Sequence, residues 1–328
     1  MTTRTRSSRR ARRALTLAAA ATLAVAATGC TDLRRAVIRS EVRKVFTATL
    51  TRGTDVTQVG PHLYSYRWMT YRTAFVATPD GVILFDPINA DAARGVARAI
   101  EQIAPNPNIR YVVYSHFHRD HASGAAALPG HPVILAHANA ARELAARSLP
   151  DVAPPTETFA GEERDLELGG EHVRLMLLPE SHTDGLLMMH VPADRALYEV
   201  DIVWPHQLPP PGVPDMSYAG VERATQKMMA VDFDTLVPGH GAIGTKRDVV
   251  RYHQLLVDLD GAFRASLRRR GLDDLTRRST FERGADDLAD VFFDVEDALR
   301  PRYGDLENFD AVILPTSQWC FWHVLTGT

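Results

Sequence analysis

The chain has 328 residues, of which 45% are hydrophobic and 23% are charged, and its formal net charge is −3. A chain of this length and composition can bury one large core or two smaller ones, which excludes disorder over most of its length. The excess of acidic over basic residues argues against a nucleic-acid-binding surface, which would be basic.

The first thirty residues have the pattern of an export signal. Six arginines precede an apolar run over residues 14–28 that contains no charged residue. Its 15 residues are too few for a stable membrane span, which needs about 20, and are typical of the hydrophobic region of a signal peptide. The paired arginines also permit twin-arginine export of a folded chain. We therefore expect an exported protein.

A cysteine ends this segment. The sequence Ala27-Thr28-Gly29-Cys30 resembles a bacterial lipoprotein cleavage site, at which Cys30 would carry a lipid. The lipid would attach the protein to a membrane, in the periplasm or on the cell surface. The alternative is ordinary cleavage nearby, which gives a soluble periplasmic or secreted protein.

Export would change the charge and the chemistry available to the mature chain. Residues 1–29 contain six of the 37 basic residues and none of the 40 acidic residues, so their removal changes the net charge from −3 to −9. This acidic balance again disfavours nucleic acid as a partner. If Cys30 carries a lipid, Cys320 is alone, which excludes an internal disulfide and a cysteine-rich zinc site. Any metal ion must then be bound by histidine and aspartate.

The sequence divides the mature chain into three regions. Residues 31–58 have apolar spacing compatible with a helical spacer, for which a mobile tether is the alternative. Residues 59–246 alternate strands and helices, the pattern of a layered α/β domain. Residues 247–328 are predicted to form a helical extension packed on that domain, with charged helices up to about residue 300 and then a proline-containing tail. The sequence does not decide whether this extension forms a cap over the site, a subunit contact or a solvated packing layer.

Within residues 59–246 the predicted elements are short and closely spaced. A hairpin over residues 73–86 precedes a helix over residues 91–103 that is capped by Asp91. A buried strand over residues 110–115 then leads directly into a histidine-rich loop. The remaining predicted elements are a short helix over 122–128, strands over 132–136, 172–179, 186–192, 195–201 and 235–240, and helices over 139–149 and 219–231.

The histidine-rich loop concentrates side chains that bind metal ions. His116 and His118 are two residues apart, so at the end of a strand they point the same way and can bind one ion. Asp120 and His121 continue around the loop and can face a second position. An isolated pair of histidines at this spacing is usually polar surface, but four such residues within six positions favour a metal site.

Residues 116–121 read HFHRDH, which resembles the HxHxDH signature of the metallo-β-lactamase fold superfamily. Three further residues follow predicted strands at intervals of 61, 19 and 39 positions, namely His182, Asp201 and His240. The resemblance covers residues 59–246. It implies the α/β fold of that superfamily, an αββα sandwich, here with a helical C-terminal extension.

The resemblance also implies roles for individual residues. Seven metal ligands are implied, in two sets joined by a bridging carboxylate: His116, His118 and His182 for the first ion, Asp120, His121 and His240 for the second, and Asp201 between them. Asp120 is in addition the implied catalytic residue. Asp86 matches an aspartate that supports the ligand loop from behind, and an ordinary turn aspartate is the alternative.

Asp201 indicates which members of the superfamily the chain resembles most. Members that open β-lactams usually have cysteine or serine at this position, whereas a bridging aspartate is similar to glyoxalase II, lactonases and related hydrolases. Two zinc ions, with iron or manganese as alternatives, would share a hydroxide that attacks the substrate. This implies hydrolysis of a small-molecule ester, lactone, thioester or amide. Just before Asp201 the chain departs from the superfamily, because Glu199 and Val200 replace the usual glycines.

Further residues are predicted to contact the substrate because they flank the ligands. The loop after Asp201 and the hairpin near residue 70 should both border the metal site. The candidates are Trp68, Tyr71, Arg72, Trp204, His206 and Tyr218. Core packing is the alternative for Trp68.

Other functions fit parts of the pattern. A mononuclear iron enzyme acting on sulfur compounds could use His116, His182 and Asp201 alone, so the complete set of seven ligands disfavours it. A nucleic-acid hydrolase of the same superfamily is disfavoured by the export signal and the acidic charge. A noncatalytic metal-binding lipoprotein is disfavoured by the complete ligand set. The substrate and the oligomeric state stay open.

Overall fold

The computed structural model describes residues 39–40, 53–209, 216–272 and 278–326, and the side chains of all of these except residues 278–286. The predicted signal peptide, Cys30 and most of the predicted spacer lie outside the described residues, although Arg39 and Ser40 are helical. Thr49–Thr328 forms one compact unit. Within the described ranges, no helix has the length and apolar character needed to cross a bilayer.

Strands β1 to β7 form a mixed sheet in which they are adjacent in chain order. Their bounds are Thr54–Gln58, Leu63–Trp68, Tyr71–Thr78, Gly81–Phe85, Ile109–Val113, Val133–His137 and Glu157–Phe159. Pairing is antiparallel from β1 to β4 and parallel from β4 to β7. Helices in the parallel connections are α1 (Ala90–Ile103), the short α2 (Arg119–Ala122) and α3 (Ala138–Arg147).

Strands β8 to β13 form a second sheet in the order β13-β12-β11-β10-β9-β8. Their bounds are Glu163–Leu168, Glu171–Leu177, Leu187–Val191, Ala196–Glu199, Thr235–Pro238 and Gly244–Thr245. Neighbours are antiparallel except β11 and β12, which are parallel. Helix α4 (Tyr218–Ala230) lies in the connection between that parallel pair.

Alternate side chains of the first sheet enter two different cores, because successive residues of a strand point to opposite faces. Phe75 and Leu84 belong to a core with residues of α1 and α3. Their neighbours Val76 and Phe85 belong to a core with the second sheet and α4. The layers are therefore helices, sheet, sheet and helices, which confirms the predicted αββα sandwich.

Three helices follow β13, namely α5 (Lys246–Arg269), α6 (Arg278–Tyr303) and α7 (Phe309–Thr326). A capping box of Thr245 and Asp248 begins α5. Phe263 and Ile313, from α5 and α7, are fully buried in the same core as the second sheet. The helical C-terminal extension is thus confirmed, but the segment predicted as a tail is the helix α7, which accommodates Pro315.

Other local predictions differ from the structure. The predicted spacer overlaps β1, which begins at Thr54 and pairs with β2. Helix α1 is capped by Asn89 and not by Asp91, because the Asn89 side-chain oxygen accepts from the backbone N–H groups of Asp91 and Ala92, both at 2.9 Å. Strands β7 and β8 were not predicted, since short strands with exposed, charged residues lack a hydrophobic signal.

Candidate metal centre

Four loops that leave strands carry the predicted ligands. The loop after β5 contains residues 116–121, and the β9–β10 connection contains His182. Asp201 follows β11 and His240 follows β12. Asp201 has a φ of 70°, in the left-handed region that aspartate tolerates better than most residues. This conformation turns the chain sharply at the ligand.

The side chains of the predicted ligands form two groups. Within each group the ligand atoms lie within 4.8 Å of one another, and the groups are His116, His118, His182 and Asp201, and Asp120, His121 and His240. The membership of these groups matches the two ligand sets implied by the sequence. Within one group, the structure therefore brings together residues that are up to 120 positions apart in the chain.

The carboxylate of Asp201 joins the two groups. Its Oδ2 atom lies 3.4 Å from Nε2 of His116 and 3.3 Å from Nε2 of His182. The same oxygen is 3.3 Å from Nε2 of His121, and Oδ1 is 2.8 Å from Nε2 of His240. One carboxylate thus contacts imidazoles of both groups, as a bridging ligand requires.

The hydrogen bonding of His116 tests whether these residues fit a metal ion. The ring is fully buried, and its Nδ1 lies 2.9 Å from Oγ of Ser115. Its Nε2 faces Asp201, and among the described residues it has no hydrogen-bond partner. A buried nitrogen without a partner is unfavourable unless something binds it. A site of imidazoles and carboxylates fits zinc, iron or manganese.

The charges of His116 and Asp201 also fit a metal ion. His121 would have to lose a proton to bind one, because burial lowers its pKa but the Asp201 and Asp86 carboxylates outweigh burial and raise that pKa well above its usual range. Burial lowers the pKa of His116 well below its usual range, and the His182 imidazole lowers it further, so the ring is neutral near pH 7. Burial raises the pKa of Asp201, but the imidazoles of His121 and His240 outweigh burial and hold that pKa well below its usual range. A neutral imidazole and an anionic carboxylate are the forms that bind metal ions.

Asp86 supports the ligand loop from behind. It is fully buried, with one carboxylate oxygen accepting from the Ser115 backbone N–H at 2.7 Å and the other from the Tyr198 hydroxyl at 3.0 Å. The second oxygen also lies 3.4 Å from Nδ1 of His121. Asp86 therefore holds both ends of the ligand loop, the supporting position implied for it by the sequence. Tyr198, which was not predicted, connects this support to β11.

Glu199 is a second residue that was not identified as functional. It is fully buried, and its two carboxylate oxygens accept from the backbone N–H groups of Ile202 at 3.0 Å and Val203 at 3.2 Å. Its own carbonyl accepts from the Gly239 N–H at 3.0 Å. Glu199 therefore fixes the turn on which Asp201 lies and joins that turn to the loop of His240. Its position, where the superfamily usually has glycine, was the available sequence signal.

Two of the predicted substrate contacts lie beside the second ligand group. The ring centroid of Tyr71 is 4.7 Å from that of His240. The Trp204 ring stacks on the same His240 ring, with a centroid distance of 4.6 Å and an interplanar angle of 16°. Burial raises the pKa of Tyr71, and the charges of Asp120 and Asp201 raise it further. The Tyr71 hydroxyl therefore stays protonated and can donate a hydrogen bond at the site.

Arg72 and Tyr218 do not have the predicted role. Arg72 is 7% exposed, and its backbone N–H and Nε donate to the carbonyls of Gly239 and Gly241 at 2.7 and 2.6 Å. It holds the His240 loop in place. Tyr218 is 1% exposed and donates to the Leu256 carbonyl at 2.6 Å. It is a core residue under the C-terminal helices, and its prediction as a substrate contact is wrong.

Trp68 and His206 have intermediate positions. Trp68 is half-buried against the core that contains α1, and its ring centroid lies 6.4 Å from that of Tyr71. His206 is exposed, with Nδ1 3.9 Å from the Asp248 carboxylate and with its carbonyl accepting from the Glu307 N–H. The structure does not place either ring on a predicted metal ligand.

This fold and its two joined ligand groups define a protein of the metallo-β-lactamase type. Residues 69–240 match the family model described as Metallo-beta-lactamase superfamily. The match covers about half of the chain, and the chain belongs to this superfamily.

The chain is also similar to individual proteins. It is 30% identical over 175 residues to 2,4-dinitroanisole O-demethylase subunit alpha of Nocardioides sp. (strain JS1661), an alignment that covers 52% of each chain, so our chain spans about half the length of that relative. It superposes with a TM-score of 0.55 on a metallo-beta-lactamase from Pontibacter korlensis, at 18% identity, over 62% of this chain and 99% of that one. It also superposes on the DIM-1 metallo-beta-lactamase exposed to ceftazidime with a TM-score of 0.55, at 15% identity, over 63% of this chain and 97% of that one. These structures share the fold.

Proposed function

We propose that the chain is a dinuclear zinc hydrolase. The observation that carries this proposal is the Asp201 carboxylate, which lies within 3.4 Å of imidazoles from both ligand groups. Two adjacent ligand sets that share one carboxylate can hold two divalent ions side by side. Such ions supply Lewis acidity and lower the pKa of bound water toward 7. The proposed substrates are esters, lactones, thioesters and amides.

Side chains beside the ligands complete the proposed chemistry. Asp120 is exposed and faces the Tyr71 hydroxyl, so its carboxylate can accept a proton during the reaction. Tyr71 stays protonated and can donate a hydrogen bond to a developing oxyanion. Trp204 covers one face of His240 and offers an aromatic surface to the substrate.

The relative from Nocardioides favours a second candidate, hydrolytic cleavage of an activated aryl methyl ether. Its name gives the activity as O-demethylation of 2,4-dinitroanisole. On an electron-poor ring, hydroxide can add to the carbon that bears the methoxy group, and methoxide then leaves as methanol. The same nucleophile would therefore serve an ester or an activated ether. An electron-poor aryl ether belongs in any substrate panel for this chain.

Removal and restoration of zinc tests the proposed function. Residues 31–328 would be produced, stripped of metal, reloaded with zinc and assayed on a thioester, a lactone, an aryl ester, a β-lactam and 2,4-dinitroanisole. We expect zinc-dependent turnover of at least one class, because both ligand sets are complete. The turnover should be lost in His118→Ala, which removes a ligand, and kept in His131→Ala, which removes an exposed histidine outside both groups.

Each other outcome contradicts a part of the proposal. Two zinc ions per chain without turnover on any class would show that the ligand sets are correct and the substrate class is wrong. Binding of no metal, or of a single iron ion, would overturn the dinuclear zinc proposal. Equal loss of activity in both histidine variants would mean that His118 has no special role.

We further propose export and attachment to a membrane through a lipid on Cys30. The support is the arginine-rich start, the apolar run and the cleavage-site pattern at Cys30. In bacteria that produce the full chain, we expect the protein in the membrane fraction, and we expect Cys30→Ser to move it to the soluble fraction. Cytoplasmic recovery of both forms would contradict export, and equal membrane association of both would contradict the lipid anchor.

A further inference from the structure

The loop after Asp201 reaches from the metal ligands to the C-terminal helices. Residues 204–209, here the 204–209 loop, begin with Trp204 on the His240 ring. A backbone hydrogen bond from Gln207 to the Trp204 carbonyl, at 3.1 Å, closes a tight turn. The position of Trp204 therefore depends on how the loop is held at its other end.

That other end is held by the turn between α6 and α7. The carbonyl of His206 accepts from the Glu307 backbone N–H at 3.0 Å, and the Gln207 side chain donates to the Glu307 carboxylate at 3.0 Å. The Asn308 side chain makes the closest contacts. Its Oδ1 accepts from the Leu208 N–H at 2.7 Å, and its Nδ2 donates to the Leu208 carbonyl at 2.8 Å.

The Asn308 amide thus pairs with both backbone groups of one loop residue. Leu208 is fully buried, so loss of these bonds would leave its N–H and carbonyl without equally good replacements. The turn itself is firmly placed, because Phe309, the first residue of α7, is buried in the main core. A rigid helix start is a suitable support for a loop at a functional site.

We propose that Asn308 is a positioning residue that holds the 204–209 loop so that Trp204 stays stacked on His240. The proposal rests on the proposed function in one respect, namely that this position of Trp204 is the productive one for the substrate. It assigns a role to the C-terminal helices that the sequence left open. They would act as the support of a substrate-contacting loop and not only as a packing layer.

The test compares Asn308→Ala with Gln254→Ala in the zinc-loaded chain of residues 31–328. Gln254 is a matched control, because its side chain is also half-buried in the C-terminal helices and donates one hydrogen bond, to Asp258 at 2.8 Å. We expect Asn308→Ala to lower kcat/KM about tenfold with unchanged zinc content, since a small misplacement of a contact residue reduces rates strongly. Gln254→Ala should leave kcat/KM unchanged. Asn308→Asp, which keeps the acceptor oxygen, should fall between them.

A double-mutant cycle with Trp204→Phe asks whether Asn308 acts through Trp204. If it does, Asn308→Ala should have little further effect on kcat/KM in the Trp204→Phe background, because coupled residues are not additive. Independent, additive losses would overturn the proposal, and so would equal losses in Asn308→Ala and Gln254→Ala.

Two readouts need no substrate and separate this proposal from the proposed function. The backbone amide of Leu208 should exchange with solvent deuterium at least about tenfold faster in Asn308→Ala than in Gln254→Ala. The Trp204 emission, isolated by subtraction of the Trp204→Phe spectrum, should shift to longer wavelength in Asn308→Ala. If the zinc-loaded chain turns over no substrate but both changes occur, the proposed function fails and the support role stands. If neither change occurs, the support role is wrong whatever the activity.

Discussion

Asp201→Asn is expected to reduce zinc-dependent kcat/KM by more than about 100-fold and to lower the zinc content below two ions per chain. Replacement of a residue that only supports a metal ligand already costs about 10–100-fold, so loss of a ligand shared by both groups should cost more. Asparagine has the same shape but no negative charge, and its amide nitrogen cannot bind a cation. Zinc content after dialysis and initial rates on the best substrate measure the two effects.

Asp194→Asn is a matched control for this experiment. Asp194 precedes β11, whereas Asp201 follows it, so the two aspartates lie at opposite ends of the same strand. Asp194 is also buried, and it accepts from the His62 backbone N–H at 3.1 Å. We expect Asp194→Asn to keep its zinc and its activity. Full zinc content and activity in Asp201→Asn would refute a bridging role for this carboxylate.

Glu199→Leu is expected to destabilise the fold by about 2–5 kcal/mol and to weaken zinc binding. The change leaves the buried N–H groups of Ile202 and Val203 without their acceptors, and each orphaned group costs about 1–3 kcal/mol. The turn that holds Asp201 at a positive φ would also lose its support. Thermal unfolding without metal measures the first effect, and a zinc titration measures the second.

Two further variants calibrate the Glu199 result. Glu199→Gln keeps one acceptor oxygen, so both effects should be intermediate. Glu167→Leu makes the same change at an exposed position of β8 and should alter the unfolding free energy by less than about 0.5 kcal/mol. A Glu199→Leu variant as stable and as tight in zinc binding as Glu167→Leu would show that the carboxylate does not support the Asp201 turn.

The layered fold was predictable because its signals are local, whereas the membership of the ligand groups was implied by the resemblance to the superfamily. Four ligand-type residues lie within residues 116–121, and His182, Asp201 and His240 each follow an apolar strand. In such a fold the ends of neighbouring strands lie close together, so position along the chain predicts proximity. The alternation of apolar residues likewise predicted most of the strands.

Two supporting residues, Tyr198 and Asn308, were not predictable from the local sequence pattern, because their partners are distant in sequence. Tyr198 donates to Asp86 across 112 positions, and Asn308 pairs with Leu208 across 100 positions. Neither residue differs in local pattern from an ordinary strand or turn residue. Tyr218 was predicted at the site because it is close to a ligand in sequence, but in the structure its side chain lies in the core. The helix it begins turns that side chain under α5 and α7 and away from solvent.

The distribution of the ligands over both sheets sets the order of events when the protein is made. His116 and His118 leave the first sheet, whereas Asp201 and His240 leave the second. No nascent chain shorter than 201 residues contains the first group, and none shorter than 240 residues contains the second. The centre can therefore form only after most of the chain has been synthesised and the sheets have docked. If the centre receives a metal ion at that stage, the compartment in which folding is completed contributes to which ion it is, because metal availability acts together with geometry and ligand type.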